Sequence, residues 1–146
     1  MTDKSTNLMD QLRRNRVALI SLAVAIISLS YNTWRNEASE ANRTQRLVSI
    51  EILLKLADLQ QVVWHNHYDG DTEDRGNLRT GWTLVLTIRD IATILDEPMP
   101  GSADKLWQVW NDNYKELPNS TTAKDNIIAA IEKCRLDTLV VLQALE

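Results

Sequence analysis

The stretch Val17-Ala18-Leu19-Ile20-Ser21-Leu22-Ala23-Val24-Ala25-Ile26-Ile27-Ser28-Leu29-Ser30-Tyr31 carries no charged residue, and its reading decides the fold. As a helix these fifteen residues span about 22 Å, short of the ~30 Å hydrocarbon core of a bilayer. Continuing the helix to Trp34 gives about 27 Å, and Arg16 and Arg35 can snorkel across the remainder. Tyr31 and Trp34 stand where an aromatic belt belongs, and Arg13, Arg14 and Arg16 flank the other end. The pattern predicts a single transmembrane helix over residues 17–34, preceded by a basic tail over 1–16. Three other readings compete. A buried core helix would suit the shortness of the run, but the flanking arginines and the lack of a polar face oppose it. A cleaved signal peptide would suit its length, although Ser28-Leu29-Ser30 is a weak cleavage site. A helix lying flat on a membrane needs a charged face, and this segment has none.

The flanks also suggest an orientation. Three arginines lie within four residues before the run and one within four residues after it. The positive-inside tendency then puts the N-terminus in the cytoplasm and the body outside, in the periplasm of a bacterium. Counted over fifteen residues on either side, the margin narrows to four against three. Within the run, Ala18, Ser21, Ala25 and Ser28 fall on one arc about 80° wide. Such a stripe of small residues lets a second helix approach closely, with serine hydroxyls available for interhelical hydrogen bonds. Ala and Ser are also common in any membrane helix, so the alignment can arise by chance.

The remaining composition fits an anchored helical domain. The 146 residues suffice for one domain and an appendage. Four Gly and three Pro are too few for a many-turned β architecture and favour long helices. The net charge of −4 gives no basic field for nucleic acid. That charge is unevenly spread: residues 1–16 carry +2, residues 32–46 carry +1 and residues 47–146 carry −7. Cys134 is the only cysteine, which excludes an intrachain disulfide, a multi-cysteine zinc site and a CxxC redox motif.

Residues 35–46 are polar but contain neither Pro nor Gly, so they read as a helical linker. Beyond them Leu47, Ile50, Leu54, Ala57, Gln61 and Trp64 follow a heptad, with Ile52, Leu56, Leu59 and Val63 beside it. Two adjacent stripes predict one broad apolar face, as a bundle helix needs. The anchor and this segment can form one helix from about residue 17 to about 65, kinked or frayed near the interface. A loop follows over 69–81. A second helix is expected from residue 78 or 80 to 95, with Leu84, Ile88, Ile91 and Leu95 on one face, ended by Pro98, Pro100 and Gly101. A third, over about 103–116, is capped by Ser102 and buries Leu106, Trp107, Trp110 and Tyr114. The last begins at a cap on Ser120, Thr121 or Thr122 and runs to about 144. It buries Ile127, Ile131, Cys134, Val141 and Leu145, with Ile128, Leu139 and Leu142 alongside. The expected fold class is all-α: an N-terminal transmembrane helix, then a compact bundle of about four helices over 47–146.

Few residues point to chemistry. The segment from His65 to Asp74 holds both histidines and four acids, types that bind Zn²⁺ or Ca²⁺. His65 and His67 are two apart and diverge on a helix, HExxH is absent, and Asp74 occupies the position where an EF-hand loop requires Gly. A helix C-terminus followed by a solvated loop is the plainer reading. Arg89 and Asp90 interrupt an apolar helix; such groups usually pair with a neighbouring helix, and Asp58 is a candidate partner for Arg89. Trp64, Trp82, Trp107 and Trp110 can form a ligand cage, but core packing is the plainer role in a chain without Phe. Cys134 reads as a small buried hydrophobe. No cofactor and no catalytic or metal-ligating set is predicted.

The stretch Ser28-Leu29-Ser30-Tyr31-Asn32-Thr33-Trp34-Arg35-Asn36-Glu37, following an aliphatic helix, resembles small bacterial proteins with one membrane helix and a helical body. Gly81-Trp82 and Leu86-Thr87-Ile88-Arg89-Asp90 carry the same resemblance. It implies a bacterial inner-membrane setting and brings no catalytic residues with it. The expected role is a non-enzymatic interaction protein, an accessory subunit or scaffold of a membrane complex. Its partners would be the lipid bilayer and either another membrane protein or a second copy of the chain. The alternative is a membrane-tethered sensor that binds a small ligand or metal between helices. A hydrolase or metalloenzyme centred on His65 and His67 ranks last.

Overall fold

The computed structural model describes residues 15–145. Among them are four α-helices and no strand: α1 (Arg16–Asp69), α2 (Leu78–Ala92), α3 (Met99–Asn113) and α4 (Thr121–Ala144). The chain divides into two compact units, with the boundary between Ala41 and Asn42 inside α1.

Helix α1 runs for 54 residues without a Pro or Gly to interrupt its backbone hydrogen bonds. It stops at Gly70, which takes a φ of 66° that side-chain-bearing residues rarely adopt. The following loop is organised by one carboxylate: Asp71 accepts N–H bonds from Glu73, Asp74, Arg75 and Gly76 at 2.9–3.3 Å. Buried Asn66 secures the same loop from α1, donating through Nδ2 to the Gly76 carbonyl at 2.8 Å.

Helix α2 is capped by Asn77, whose side chain accepts from the Arg79 N–H at 2.9 Å. It ends at Ala92, three residues short of the sequence expectation. The stretch around Pro98 separates α2 from α3 as expected, but Pro100 and Gly101 do not lie in the break. They belong to the first turn of α3, where a Pro loses no intrahelical hydrogen bond. Ser102 is therefore not a cap; it lies within the helix and its N–H donates to the Pro98 carbonyl at 3.0 Å. Helix α3 also ends earlier than residue 116, at Asn113. Ser120 is the cap of α4, its Oγ accepting from the Ala123 N–H at 3.2 Å.

The core of the second unit is built from all four helices. Helix α1 contributes Ile52, Leu56, Leu59 and Val63; α2 contributes Val85, Ile88 and Ala92. Helix α3 contributes Met99, Ala103, Leu106 and Trp110, and α4 contributes Ile127, Ile131, Cys134 and Val141. The face of α2 is turned by about one residue from expectation, leaving Leu84 and Ile91 half-buried. Trp107 and Tyr114 are likewise half-buried, and Leu139 is exposed. Gly81 permits a close approach of α2 to Trp110 on α3: a Cβ there would stand 2.3 Å from two ring atoms of Trp110. Three bonds set α4 antiparallel to α1. Lys124 Nζ donates to Tyr68 Oη at 3.2 Å, Arg135 to Gln60 Oε1 at 2.8 Å, and Arg46 to the Leu145 carbonyl.

Candidate interaction surface

The heptad of α1 is the most distinctive surface of the bundle, and its placement corrects the sequence expectation. With Leu47 at position a, the stripe Leu47, Ile50, Leu54, Ala57, Gln61, Trp64 occupies a and d throughout. Every one of these residues is exposed, Leu47 at 60%, Ile50 at 49%, Leu54 at 57% and Trp64 at 48%. The buried residues of α1 are Ser49, Ile52, Leu56, Leu59, Val62, Val63 and Asn66. Apart from Val62 at b, these are the c and f positions of the same heptad, on the opposite side of the helix. The two stripes are thus not one broad face. They lie back to back, and only the c/f stripe enters the core. Tyr68 continues the exposed row at the next a position. Leu47, Ile50, Leu54, Trp64 and Tyr68 thus leave a row of apolar side chains exposed along α1.

Trp64 also corrects the expected core role of the tryptophans. Trp110 is fully buried and Trp82 and Trp107 are half-buried, but Trp64 faces out. Trp82 meets Trp110 and Tyr114 edge-on at 6.5 and 5.3 Å, as aromatic rings pack in a core. Arg89 does not pair with Asp58. It bonds Asp104 on α3 at 2.6 Å and lies 4.7 Å over the ring of Trp107. Both members of that ion pair are substantially exposed, so it is a surface contact of small energy.

In the first unit, the eighteen-residue apolar window of α1 has no buried residue. Ala18, Ser21, Ala25 and Ser28 are all exposed on it, as are Arg16, Tyr31, Trp34 and Arg35. The Tyr31 and Trp34 rings pack at 6.1 Å. Arg13 and Arg14 lie outside the described residues.

The two histidines serve separate partners. His65 Nδ1 bonds Asp69 at 2.6 Å, and His67 Nδ1 bonds the Leu117 carbonyl at 2.7 Å. Among the described residues no group of three or more His, Cys, Asp or Glu side chains is placed to hold a metal ion. Asp71 is committed to the loop amides, and those N–H bonds, the one from Asp74 foremost, hold its carboxyl below the ordinary value of 3.8. Cys134 is buried, and desolvation pushes its thiol up to about 11, so it stays protonated at neutral pH.

A cleft of about 150 Å³ opens where Gln45 of α1 meets the end of α4, lined by Asp96, Glu97, Val140, Val141 and Leu145. Gln45 Nε2 donates to Asp96 at 3.1 Å, and its Oε1 is buried without a partner.

Comparison of the chain with protein families, with curated proteins and with solved structures gives no match in any of the three.

Proposed function

We propose that this chain is a non-enzymatic, membrane-anchored helical interaction protein, an accessory subunit or scaffold of a bacterial membrane complex. The observation that carries this reading is the exposed apolar row on α1, in the same helix as an apolar run without a buried residue. Both stretches are apolar surface left uncovered by the described residues, which is what partner contact and lipid contact would cover. The uncharged run between arginines supports a span, with Tyr31 and Trp34 at one interface. The charge bias favours a cytoplasmic N-terminus and a periplasmic bundle. The resemblance of residues 28–37 supplies the bacterial inner-membrane setting. Ala18, Ser21, Ala25 and Ser28 would let another membrane helix approach closely.

For the sensor alternative, the cleft beside Gln45 is small. Its volume of about 150 Å³ is below the ~300–1,000 Å³ usual for ligand pockets.

The test is purification of the tagged full-length protein from membranes in mild detergent, with mass spectrometry of what co-purifies. Carbonate-resistant membrane retention and a stoichiometric companion, or a defined self-assembly, are expected. Release by carbonate, or a mature chain cleaved near Ser30, would refute the anchor. A monomer without companion would refute the interaction role. An impermeant maleimide acting on Thr83→Cys, an exposed site on α2, reads the orientation.

A further inference from the structure

We propose that the exposed a/d row of α1 is the seam of a parallel, in-register pair with a second copy of this chain. This rests on the interaction role above and names its partner. Three observations select that occupant. First, the bundle does not use this face: its core takes the c and f positions, so the a/d row is apolar for another reason. Second, the spacing of Leu47, Ile50, Leu54, Ala57, Gln61 and Trp64 is a strict seven-residue repeat. The core stripe Ser49, Ile52, Leu56, Leu59, Val63 and Asn66 keeps the same spacing where α1 packs on the other helices, so the repeat marks a second face of helix-packing geometry. Third, the flanking charges suit the parallel arrangement. Arg46 occupies g and Glu51 the following e, and a parallel pair brings each Arg46 beside the other copy's Glu51. An antiparallel pair would bring e positions together across the seam, Glu51 and Asp58 among them, and set like charges side by side.

The surroundings are compatible. Glu51 is half exposed and, among the described residues, pairs with Lys55 of its own turn at 3.2 Å. Arg46 is exposed, and its bond to the Leu145 carbonyl uses one of five N–H groups. Gln61 at an a position gives the seam one polar layer, a device that favours a single register.

The experiment uses the full-length protein in native membranes. Leu54→Cys and, separately, Leu47→Cys are oxidised and the crosslinked dimer is measured, with wild type and Thr83→Cys as controls. Cys134 is buried and its thiol remains protonated, so wild type should stay uncrosslinked. Both a-position variants should crosslink to themselves at least about tenfold faster than Thr83→Cys. In detergent, Ile50→Glu combined with Leu54→Glu should weaken the dimer at least about a hundredfold by sedimentation while leaving the helical signal intact. The proposal is overturned if neither cysteine self-crosslinks above the control. It is equally overturned if the dimer survives the double substitution, or if the row proves to be covered by a different protein. Carbonate extraction of the same membranes reads the anchor independently. A chain that washes free but still crosslinks at Leu54→Cys would refute the membrane reading alone.

Discussion

Replacing Gly81 with Ala tests whether the α2–α3 contact is as tight as the backbone places it. In an exposed helix the change would stabilise, because Ala is favoured over Gly by about 1 kcal/mol. Here the added Cβ would lie 2.3 Å from Cη2 and Cζ2 of Trp110. That ring is fully buried, edge-on to Trp82 and stacked on Tyr114 with centroids 6.5 Å apart, so it has nowhere to move. Overpacking a well-filled core costs about 1–3 kcal/mol, and a clash this deep belongs at the upper end. The net expectation is a loss of about 2 kcal/mol. With a urea m-value of about 1–3 kcal/mol/M, the midpoint should fall by roughly 1 M, read by circular dichroism on the full chain in mild detergent. Gly101 provides the contrast. Its Cβ would meet only Glu97 Oε2 at 3.5 Å, so Gly101→Ala should be neutral or stabilising by about 0.5–1 kcal/mol. In a Trp110→Leu background the penalty at Gly81 should vanish, because the clashing ring is gone. An unchanged or raised midpoint for Gly81→Ala in the wild-type background would refute the packing described.

Two further outcomes concern titratable groups. Cys134 should resist alkylation in the folded protein and react once urea unfolds it. Its thiol is raised from the ordinary 9.0 to about 11, so the stabilising contribution is complete below about pH 9 and is lost as the pH climbs through about 11; a urea midpoint that holds constant across that window would contradict this. Asp71 has the opposite sign. Its carboxyl is held below 3.8 by the loop amides, so its contribution is present above that value and lost as the pH falls further; the protection of the Glu73–Gly76 amides relative to their intrinsic exchange rates should drop there, and Asp71→Asn should lower the same protection at neutral pH.

How much of this was legible beforehand differs from element to element. The continuity of α1 was readable, because the absence of Pro and Gly over 54 residues is a local property. The start of α4 was too, since Ser120 caps through its own neighbour's N–H. Pro98, Pro100 and Gly101 misled because composition marks a break without telling whether the residues stand before a helix or in its first turn. The partner of Arg89 was not legible: Asp104 and Trp107 lie on a different helix, and sequence distance carries no information about such a pairing.

The helical surface of α1 shows the same division most clearly. The sequence by itself determined that the chain is helical, that an uncharged run precedes an acidic body, and that two apolar stripes recur along residues 47–64. Periodicity assigns residues to faces because the helical repeat is a property of the backbone alone. Only the tertiary structure decided which stripe is core. Ile52, Leu56, Leu59 and Val63 are buried because α2, α3 and α4 converge on that side of the helix, while Leu47, Ile50, Leu54 and Trp64 stand open on the other. Burial is set by what arrives from elsewhere in the chain, and no local repeat contains that information.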